Sequence, residues 1–319
     1  MSVECRSAPS PATQARALAA ALPRLTEEMH RISRRFDAGR RDEAIAQFFD
    51  LAKTAIRTQR DDLTCNGHLI QARTTVISVL RIPARPRPGK PIALLLPGLL
   101  AALPLVAVRA LAFLDLCDIV LCELPGHGAS GQVEDVSLDA FATEYAAMID
   151  AALPRATGLT VIGESLGGLI ALLLGKLRPA QIRNVVLVDT PFHLTRPELA
   201  AWIGATWRDS GTRPYVRRIC REIMGFDPVD GNVERMLKLH EMVRDVPFRC
   251  VHIAGGTQPP SGIASTVTDA DIAALLAANP ALLFTPPVAG TGHAVLLDNP
   301  AGACAALQAL IVRGTAPAS

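Results

Sequence analysis

Short apolar runs alternate with longer helical or loop segments over most of the chain after residue 90. Apolar runs of about four to eight residues are typical of strands that are buried on both faces of a parallel sheet. We predict strands at 69–72, 74–82, 92–96, 118–122, 160–162, 184–188, 250–254 and 282–285. Strands that alternate with helices predict an α/β fold, with a mostly parallel sheet covered by helices on both faces.

The N-terminal segment shows helical spacing of its apolar residues instead. Leu18, Leu22 and Leu25 recur at helical intervals, and a second apolar stripe follows a break at Gly39. We therefore predict a helical N-terminal extension over residues 1–64, ahead of the sheet.

A long gap separates the sixth and seventh predicted strands, and it exceeds a normal crossover connection. The gap contains three stretches that we predict as amphipathic helices, at 197–207, 215–224 and 233–243. Both tryptophans of the chain, Trp202 and Trp207, lie in the first of them. Two compatible interpretations are ordinary packing of an inserted helical segment and a lid over an apolar substrate pocket. We predict a helical lid insertion over residues 192–245, between the two parts of an α/β core at 65–191 and 246–319.

Composition and charge narrow the classes of partner. The 319 residues are 50% hydrophobic, which is typical of a globular protein with a substantial core. With 32 basic and 30 acidic residues, the net charge of +2 gives no reason to expect nucleic acid or an anionic membrane surface as a partner. No apolar run has the length and flanks of a signal peptide or a membrane span, so we expect a cytoplasmic protein.

The distribution of cysteine and histidine predicts neither a metal site nor a cofactor. The seven cysteines contain no Cys-x-x-Cys pair, and their odd number and apolar neighbours favour reduced thiols over disulfides or zinc ligands. Four histidines likewise have no partner at metal-ligand spacing: His30, His68, His240 and His252.

Residues 159–170 carry the clearest chemical signal. An apolar strand leads into Gly-Glu-Ser-Leu-Gly at 163–167, and an apolar helix follows. A strand-to-helix turn of this pattern holds its central serine in a strained conformation, with the hydroxyl exposed at the edge of the sheet. Glycine is needed on both sides because Cβ atoms at 163 and 167 would crowd the turn. The pattern therefore indicates a nucleophilic serine, Ser165.

Three further loops follow predicted strands: Pro97-Gly98-Leu99, Pro125-Gly126-His127-Gly128 and Thr291-Gly292-His293. Together with the serine turn, in this order, they resemble the α/β-hydrolase superfamily over residues 68–312. The resemblance implies that Ser165 is the nucleophile and His293 the general base. It also implies an oxyanion hole made by the backbone N–H groups of Leu166 and Leu99.

The acid of the triad has several candidates. The superfamily usually places it in a Gly-x-x-Asp turn after the penultimate strand, where this chain has Gln258. Our choice is Asp189, which ends the strand after the nucleophile's helix and lies 24 residues past the serine. Asp269 and Asp271 are alternatives, although their Thr-Asp-Ala-Asp setting is typical of a helix N-terminus. A Ser–His pair without an acid is the third option.

Other polar residues near these motifs are expected to be structural. His127, Glu123 and Glu164 should order the turns in which they lie. His193, at the entrance to the predicted lid, either packs there or contacts substrate.

The predicted function is a serine hydrolase that cleaves an ester or thioester of a hydrophobic small molecule through an acyl-enzyme. An acyltransferase or a carbon–carbon bond hydrolase would use the same residues, and a non-catalytic binding protein with this fold is the alternative from another class. The expected partner is a small acyl or ester substrate, with no nucleic acid and no membrane span. A homo-oligomer and an acyl-carrier partner both stay open.

Overall fold

The structure is a computed structural model, and it describes residues 24–25, 27–29, 31–32, 35, 39–101, 103–193, 200–201, 203, 214–232, 239–257 and 263–313. Several residues used in the sequence-based predictions lie outside this part of the chain. They are Leu18, Leu22, His30, Trp202, Trp207 and Gln258.

The described residues form one sheet of eight strands. The strands are β1 (Asn66–Gln71), β2 (Val76–Ile82), β3 (Ile92–Leu96), β4 (Asp118–Cys122), β5 (Leu159–Glu164), β6 (Ile182–Val188), β7 (Arg249–Ile253) and β8 (Leu283–Phe284). They lie in the order β1-β2-β4-β3-β5-β6-β7-β8, in which β2 is antiparallel to both neighbours and all other pairs are parallel. The predicted α/β fold with a mostly parallel sheet is therefore confirmed.

Helices fill the connections between the strands. They are α1 (Arg41–Gln59), α2 (Leu103–Ala110), α3 (Leu138–Ala152), α4 (Leu166–Leu177), α5 (Pro214–Arg218), α6 (Asp269–Ala278), α7 (Val295–Asp298) and α8 (Pro300–Arg313). A π-helical segment, Ile219–Met224, continues α5, and 3₁₀ turns lie at Leu111–Phe113 and His240–Val243. None of the helices in the described ranges is long and apolar enough to cross a membrane.

Helices cover both faces of the sheet, as the apolar strands require. On one face, α3 and α4 bury side chains such as Phe141 and Leu169 in the larger core cluster. On the opposite face, α1 and α2 bury side chains such as Ile56 and Val106. The strands between these layers are accordingly buried on both sides.

Helix α1 belongs to this second layer. Its residues Phe48 and Phe49 are buried in the same cluster as Leu80 and Leu95 of the sheet. A Cβ atom on Gly67 of β1 would lie 2.2 Å from the ring of Phe49, so the helix sits directly on the strand. The described part of the N-terminal segment thus contributes to the core of the sheet.

Within the predicted lid, residues 192–245, only part of the chain is described. There Tyr215 of α5 accepts a hydrogen bond from the backbone N–H of Val133 at 3.1 Å, and its ring covers Gly126. The predicted stretch 215–224 is helical, in α and then π geometry. Most of the stretches 197–207 and 233–243 falls outside the described residues.

The cysteines in the described part of the chain are all free, as the sequence predicted. Burial is the main cause that raises the pKa of the Cys117 thiol to about 12. Neutral, buried thiols of this kind are packing groups rather than nucleophiles.

The register of the central strands brings three loops to one edge of the sheet. Leu96 pairs with Gly163, and Glu164 pairs with Val188, so β3, β5 and β6 end level with one another. Ligand sites of open α/β sheets lie outside the carboxyl ends of their strands. We therefore expect a ligand site among the loops that begin after Leu96, Glu164 and Val188.

Candidate active site

Ser165 occupies a sharp turn between β5 and α4. Its backbone has φ 54° and ψ −122°, a conformation that is strained for a residue with a side chain. A Cβ atom at position 163 would lie 2.3 Å from the carbonyl oxygen of Gly167, and one at position 167 would lie 2.4 Å from that of Leu96. Both distances are far below van der Waals contact, so the turn requires glycine on each side of the serine.

His293 lies between Ser165 and Asp189, and all three side chains are buried. His293 Nε2 is 3.0 Å from Ser165 Oγ, and His293 Nδ1 is 2.7 Å from Asp189 Oδ2. Because an ionised carboxylate only accepts hydrogen bonds, Nδ1 carries the proton and Nε2 is left to accept from the serine hydroxyl. The structure therefore brings the predicted serine, histidine and aspartate into one hydrogen-bonded line.

Asp189 is held by more than the histidine. Oδ1 accepts from the N–H of Gly255 at 3.0 Å and from the hydroxyl of Ser265, and Oδ2 accepts from the N–H and hydroxyl of Thr266 at 3.0 and 3.1 Å. Burial alone would raise the pKa of this carboxyl, but the hydrogen bond and charge of His293, with those further donors, lower the pKa below its usual value. Asp189 is therefore kept ionised although it is fully buried.

The two alternative acids lie elsewhere. Asp269 is exposed in the first turn of α6. Asp271 forms a capping box with Thr268, as the Thr-Asp-Ala-Asp pattern predicted, and its carboxylate contacts histidines other than His293. Neither side chain reaches the Ser165–His293 pair in the described structure.

The predicted oxyanion donors flank the serine. Leu166 is the first residue of α4, and the N–H groups of a helix's first turn have no partner within the helix. The loop 97–101 passes close by, since a Cβ atom on Gly98 would lie 3.1 Å from Ser165 Cβ. In this loop the N–H of Leu100 donates to His127 Nε2 at 3.4 Å. His127 thereby orders the loop that carries Leu99.

A cavity of about 180 Å³ opens beside these groups. Its wall includes Ser165 and His293, and most of the remaining lining is apolar. The apolar side chains come from Leu99, Leu100, Ala101, Leu105, Ile203, Met224 and Ala294.

Comparisons with known proteins agree with this architecture. A sequence profile of the α/β hydrolase fold matches residues 91–208, the stretch that contains β3 to β6 and the serine turn. The chain has the α/β-hydrolase fold. The match covers the serine turn at 163–167 and the loop at 97–101.

Curated relatives match over part of the chain. Two proteins from Neisseria meningitidis, of serogroup C and serogroup A, are each named pimeloyl-[acyl-carrier protein] methyl ester esterase. Each is 29% identical over 125 residues, which is 36% of this chain. The match spans 46% and 38% of the lengths of these two relatives.

Solved structures share the fold at low sequence identity. A carboxylesterase from Bacillus subtilis has a TM-score of 0.60 at 14% identity, covering 85% of this chain and 99% of its own. An N-formylmaleamic acid deformylase from Pseudomonas putida has a TM-score of 0.56 at 18% identity, covering 76% of this chain and 100% of its own. At these identities the similarity concerns the fold.

An ion pair in the cavity wall was missed by the sequence analysis. Arg109 Nη1 of α2 lies 2.7 Å from Glu164 Oε2, and the two side chains are only 10% and 7% exposed. Both residues line the cavity, and Glu164 immediately precedes Ser165. The pair adds charged groups to a cavity wall that is otherwise mainly apolar. It also links the serine turn to α2. Arg109 lies in an apolar helix and belongs to no recognisable motif, so the sequence around it does not predict a place in the pocket wall.

Glu123 connects one turn with two helices, which agrees with its predicted structural role. Its carboxylate accepts from the N–H of Leu103 at 3.0 Å and from the N–H of Ala129 at 2.9 Å. Its backbone carbonyl accepts from the hydroxyl of Tyr145 at 2.7 Å. The residue thus joins the Pro-Gly-His-Gly turn to the beginning of α2 and to α3.

The histidines outside the triad differ in their environments. His252 is fully buried in β7, and burial lowers its pKa, so the ring is kept neutral. His240, which has no histidine or cysteine at metal-ligand spacing in the sequence, lies beside His193 and Asp271 in the fold. The sequence spacing gave no indication of this group, because the three residues come together only through tertiary packing.

Proposed function

We propose that the protein is a serine hydrolase that cleaves an ester or thioester of a small hydrophobic molecule through an acyl-enzyme on Ser165. The observation that carries this proposal is the position of His293, whose two ring nitrogens lie 3.0 Å from Ser165 Oγ and 2.7 Å from Asp189 Oδ2. A nucleophile, a base and an orienting carboxylate in one hydrogen-bonded line are what acyl transfer requires.

In the first half-reaction, Ser165 Oγ attacks the carbonyl carbon and His293 Nε2 takes the hydroxyl proton. Asp189 keeps the ring in the correct tautomer and stabilises the imidazolium that forms. The negative oxygen of the tetrahedral intermediate accepts hydrogen bonds from the N–H groups of Leu166 and Leu99. Each such donor contributes about 3 kcal/mol to transition-state stabilisation.

Collapse of the intermediate breaks the bond to the leaving group. His293 returns its proton to the departing alcohol or thiol, and the acyl group stays on Ser165 as an ester. In the second half-reaction a water molecule loses a proton to His293 and attacks this ester, which releases the acid and restores the serine hydroxyl.

The cavity supports a small, mainly apolar acyl group. Its volume of about 180 Å³ is below the roughly 300–1,000 Å³ that is usual for drug-sized ligands. Leu105, Ile203 and Met224 supply apolar surface, whereas Arg109 and Glu164 supply one polar corner. The relatives named as methyl ester esterases support an ester bond as the point of cleavage.

A fluorophosphonate probe tests the nucleophile directly, because it reacts with an activated serine. We expect labelling of the wild-type protein and none of Ser165→Ala. The matched control is Ser137→Ala, since Ser137 caps α3 through the N–H of Ala140 and lies outside the site. That variant should lose about 1 kcal/mol of stability and keep full labelling.

The substrate class is tested with p-nitrophenyl esters of increasing acyl length. We expect kcat/KM to be highest for short acyl chains and to fall for dodecanoate. The rates are expressed per active site, as counted by labelling with the fluorophosphonate probe. A folded wild-type protein that neither labels nor turns over any ester would support the binding-protein alternative. Transfer of the acyl group to an added alcohol in preference to water would identify an acyltransferase.

A further inference from the structure

Three potential metal ligands meet outside the candidate active site. His193 Nδ1 lies 2.7 Å from Asp271 Oδ1, and His240 Nε2 lies 3.0 Å from the same oxygen. One ligand atom from each of the three residues falls within 4.8 Å of the others. We propose that His193, His240 and Asp271 bind a divalent transition-metal ion, and that Zn²⁺ is the ion this donor set suits best.

The donor chemistry supports zinc. Two imidazole nitrogens and one carboxylate oxygen are ligands that Zn²⁺ commonly takes, and three protein ligands with a water molecule complete a tetrahedron. Ligand atoms about 2.0–2.1 Å from a tetrahedral ion lie roughly 3.3 Å from one another. The two separations to Asp271 are about 0.3 and 0.6 Å shorter than this value. The two imidazole nitrogens lie within 4.8 Å of each other, so rotation of the three side chains would bring the ligand atoms to the tetrahedral spacing. His193 is 30% exposed, which gives water access to the fourth position.

The surroundings hold the ligands in place. Asp271 Oδ2 accepts from the N–H of Thr268 at 2.9 Å and from its hydroxyl at 2.7 Å, which fixes the carboxylate with Oδ1 toward both histidines. The ring of His240 stacks on Phe192, with centroids 6.0 Å apart and planes 22° apart. Outer groups that orient ligands in this way are a regular part of metal sites.

The position of the cluster suggests what a bound ion would do. His193 and His240 lie near the two ends of the predicted lid insertion, 192–245, and Asp271 lies at the beginning of α6. An ion held by all three would fasten both ends of the insertion to the core. Asp271 also follows Thr266, which contacts Asp189 and His293, by five residues. The site is separate from the reacting atoms and does not depend on the proposed function.

Isothermal titration of the metal-free full-length chain with Zn²⁺ tests the proposal. We expect one ion per chain in the wild-type protein. His193→Ala and His240→Ala should each weaken Zn²⁺ binding by more than about 10-fold. Loss of a group that only hydrogen-bonds to a metal ligand already costs about 10- to 100-fold in affinity, and each of these variants removes a ligand itself. The matched control is His68→Ala, on the exposed surface of β1, which should bind like wild type.

Two further measurements keep the outcome unambiguous. Co²⁺ should give visible absorption bands of a four-coordinate site in the wild-type protein, and these bands should be absent in His240→Gln, which retains a hydrogen-bond donor toward Asp271. Ser165→Ala should bind Zn²⁺ unchanged, so metal binding and catalysis can fail separately. The proposal is overturned if the wild-type chain shows no saturable binding, if both alanine variants bind normally, or if His68→Ala abolishes binding.

Discussion

Asp189 is a fully buried carboxylate that is held by hydrogen bonds from several directions. Its backbone has φ 38°, and five hydrogen bonds converge on its carboxylate. Removing a carboxylate from water is costly unless its charge is compensated. Here the compensation comes from His293 and from donors in the loop after β7. The contact with His293 also orients the imidazole toward Ser165, so the same hydrogen bond compensates the buried charge and aligns the candidate triad.

Asp189→Asn should lower kcat by about 10⁴-fold, because an amide in this place favours the wrong histidine tautomer. Initial rates on the best short-chain p-nitrophenyl ester measure the effect. Asp269→Asn is the matched control, and its kcat should stay within about twofold of wild type, since the side chain of Asp269 is exposed in the first turn of α6. Equal rates in Asp189→Asn and wild type would remove Asp189 from the mechanism.

The pair Arg109–Glu164 tests how the pocket wall is stabilised. Glu164→Gln leaves a buried guanidinium without its counter-charge, and breaking a buried pair in this way costs about 3–5 kcal/mol of unfolding free energy. The double variant Arg109→Met/Glu164→Gln should cost less than the two single changes added together. Urea unfolding measures all three.

The control for that pair is the exposed pair Arg218–Glu222, whose side chains are 45% and 43% exposed. Glu222→Gln should cost less than about 1 kcal/mol, because solvent screens such a pair. A cost as small as this for Glu164→Gln would show that the buried charge of Arg109 is compensated by other groups.

At the scale of elements, helix α1 decides whether the N-terminal segment is an appendage or part of the core. Its buried stripe shares one cluster with the sheet, so Phe48→Ala should cost about 3–5 kcal/mol, as for other buried phenylalanines. Asp50→Ala on the same helix is the control; its side chain is 74% exposed, and the change should stay within about 0.5 kcal/mol. Similar small losses in both variants would mean that α1 is detachable.

The central strands were predictable because each is an apolar run in its own right. A strand such as Asp118–Cys122 is buried on both faces, so nearly every position must be apolar, and such a run is visible in the sequence without any partner. The serine turn was predictable for a similar reason, since crowding demands glycine at fixed distances from Ser165. Local constraints leave local patterns.

Contacts made by tertiary packing left no such pattern. The choice of Asp189 over Asp271 depended on which carboxylate reaches His293, and the sequence separation between Asp189 and His293 is 104 residues. Arg109 is a pocket residue only because α2 packs against the serine turn in the fold. His193, His240 and Asp271 belong to three segments that α6 and the 3₁₀ turn bring together. In each case the role of the residue depends on a neighbour that is distant in the sequence, so the residues around it in the chain do not reveal that role.

For the whole molecule, the site exists only when the sheet is complete. Ser165 follows β5, Asp189 follows β6, and His293 lies beyond β8, so three distant parts of the chain must assemble before any group has its partner. The hydrogen bonds around Asp189 therefore form only in the native state. Their effect on the ionisation of Asp189 is consequently a contribution to global stability that depends on pH.

The sign of that contribution follows from the lowered pKa of Asp189. The native state keeps Asp189 ionised below the usual value of 3.8, whereas the unfolded chain already binds the proton there. The stabilisation is thus fully present above pH 3.8 and is lost as the pH falls through the lower native pKa. Asp189→Asn lacks this contribution, so the difference in unfolding free energy between wild type and variant should shrink from pH 5 to pH 3 and below. Urea unfolding at a series of pH values measures it, and a constant difference would show that ionised Asp189 does not stabilise the fold.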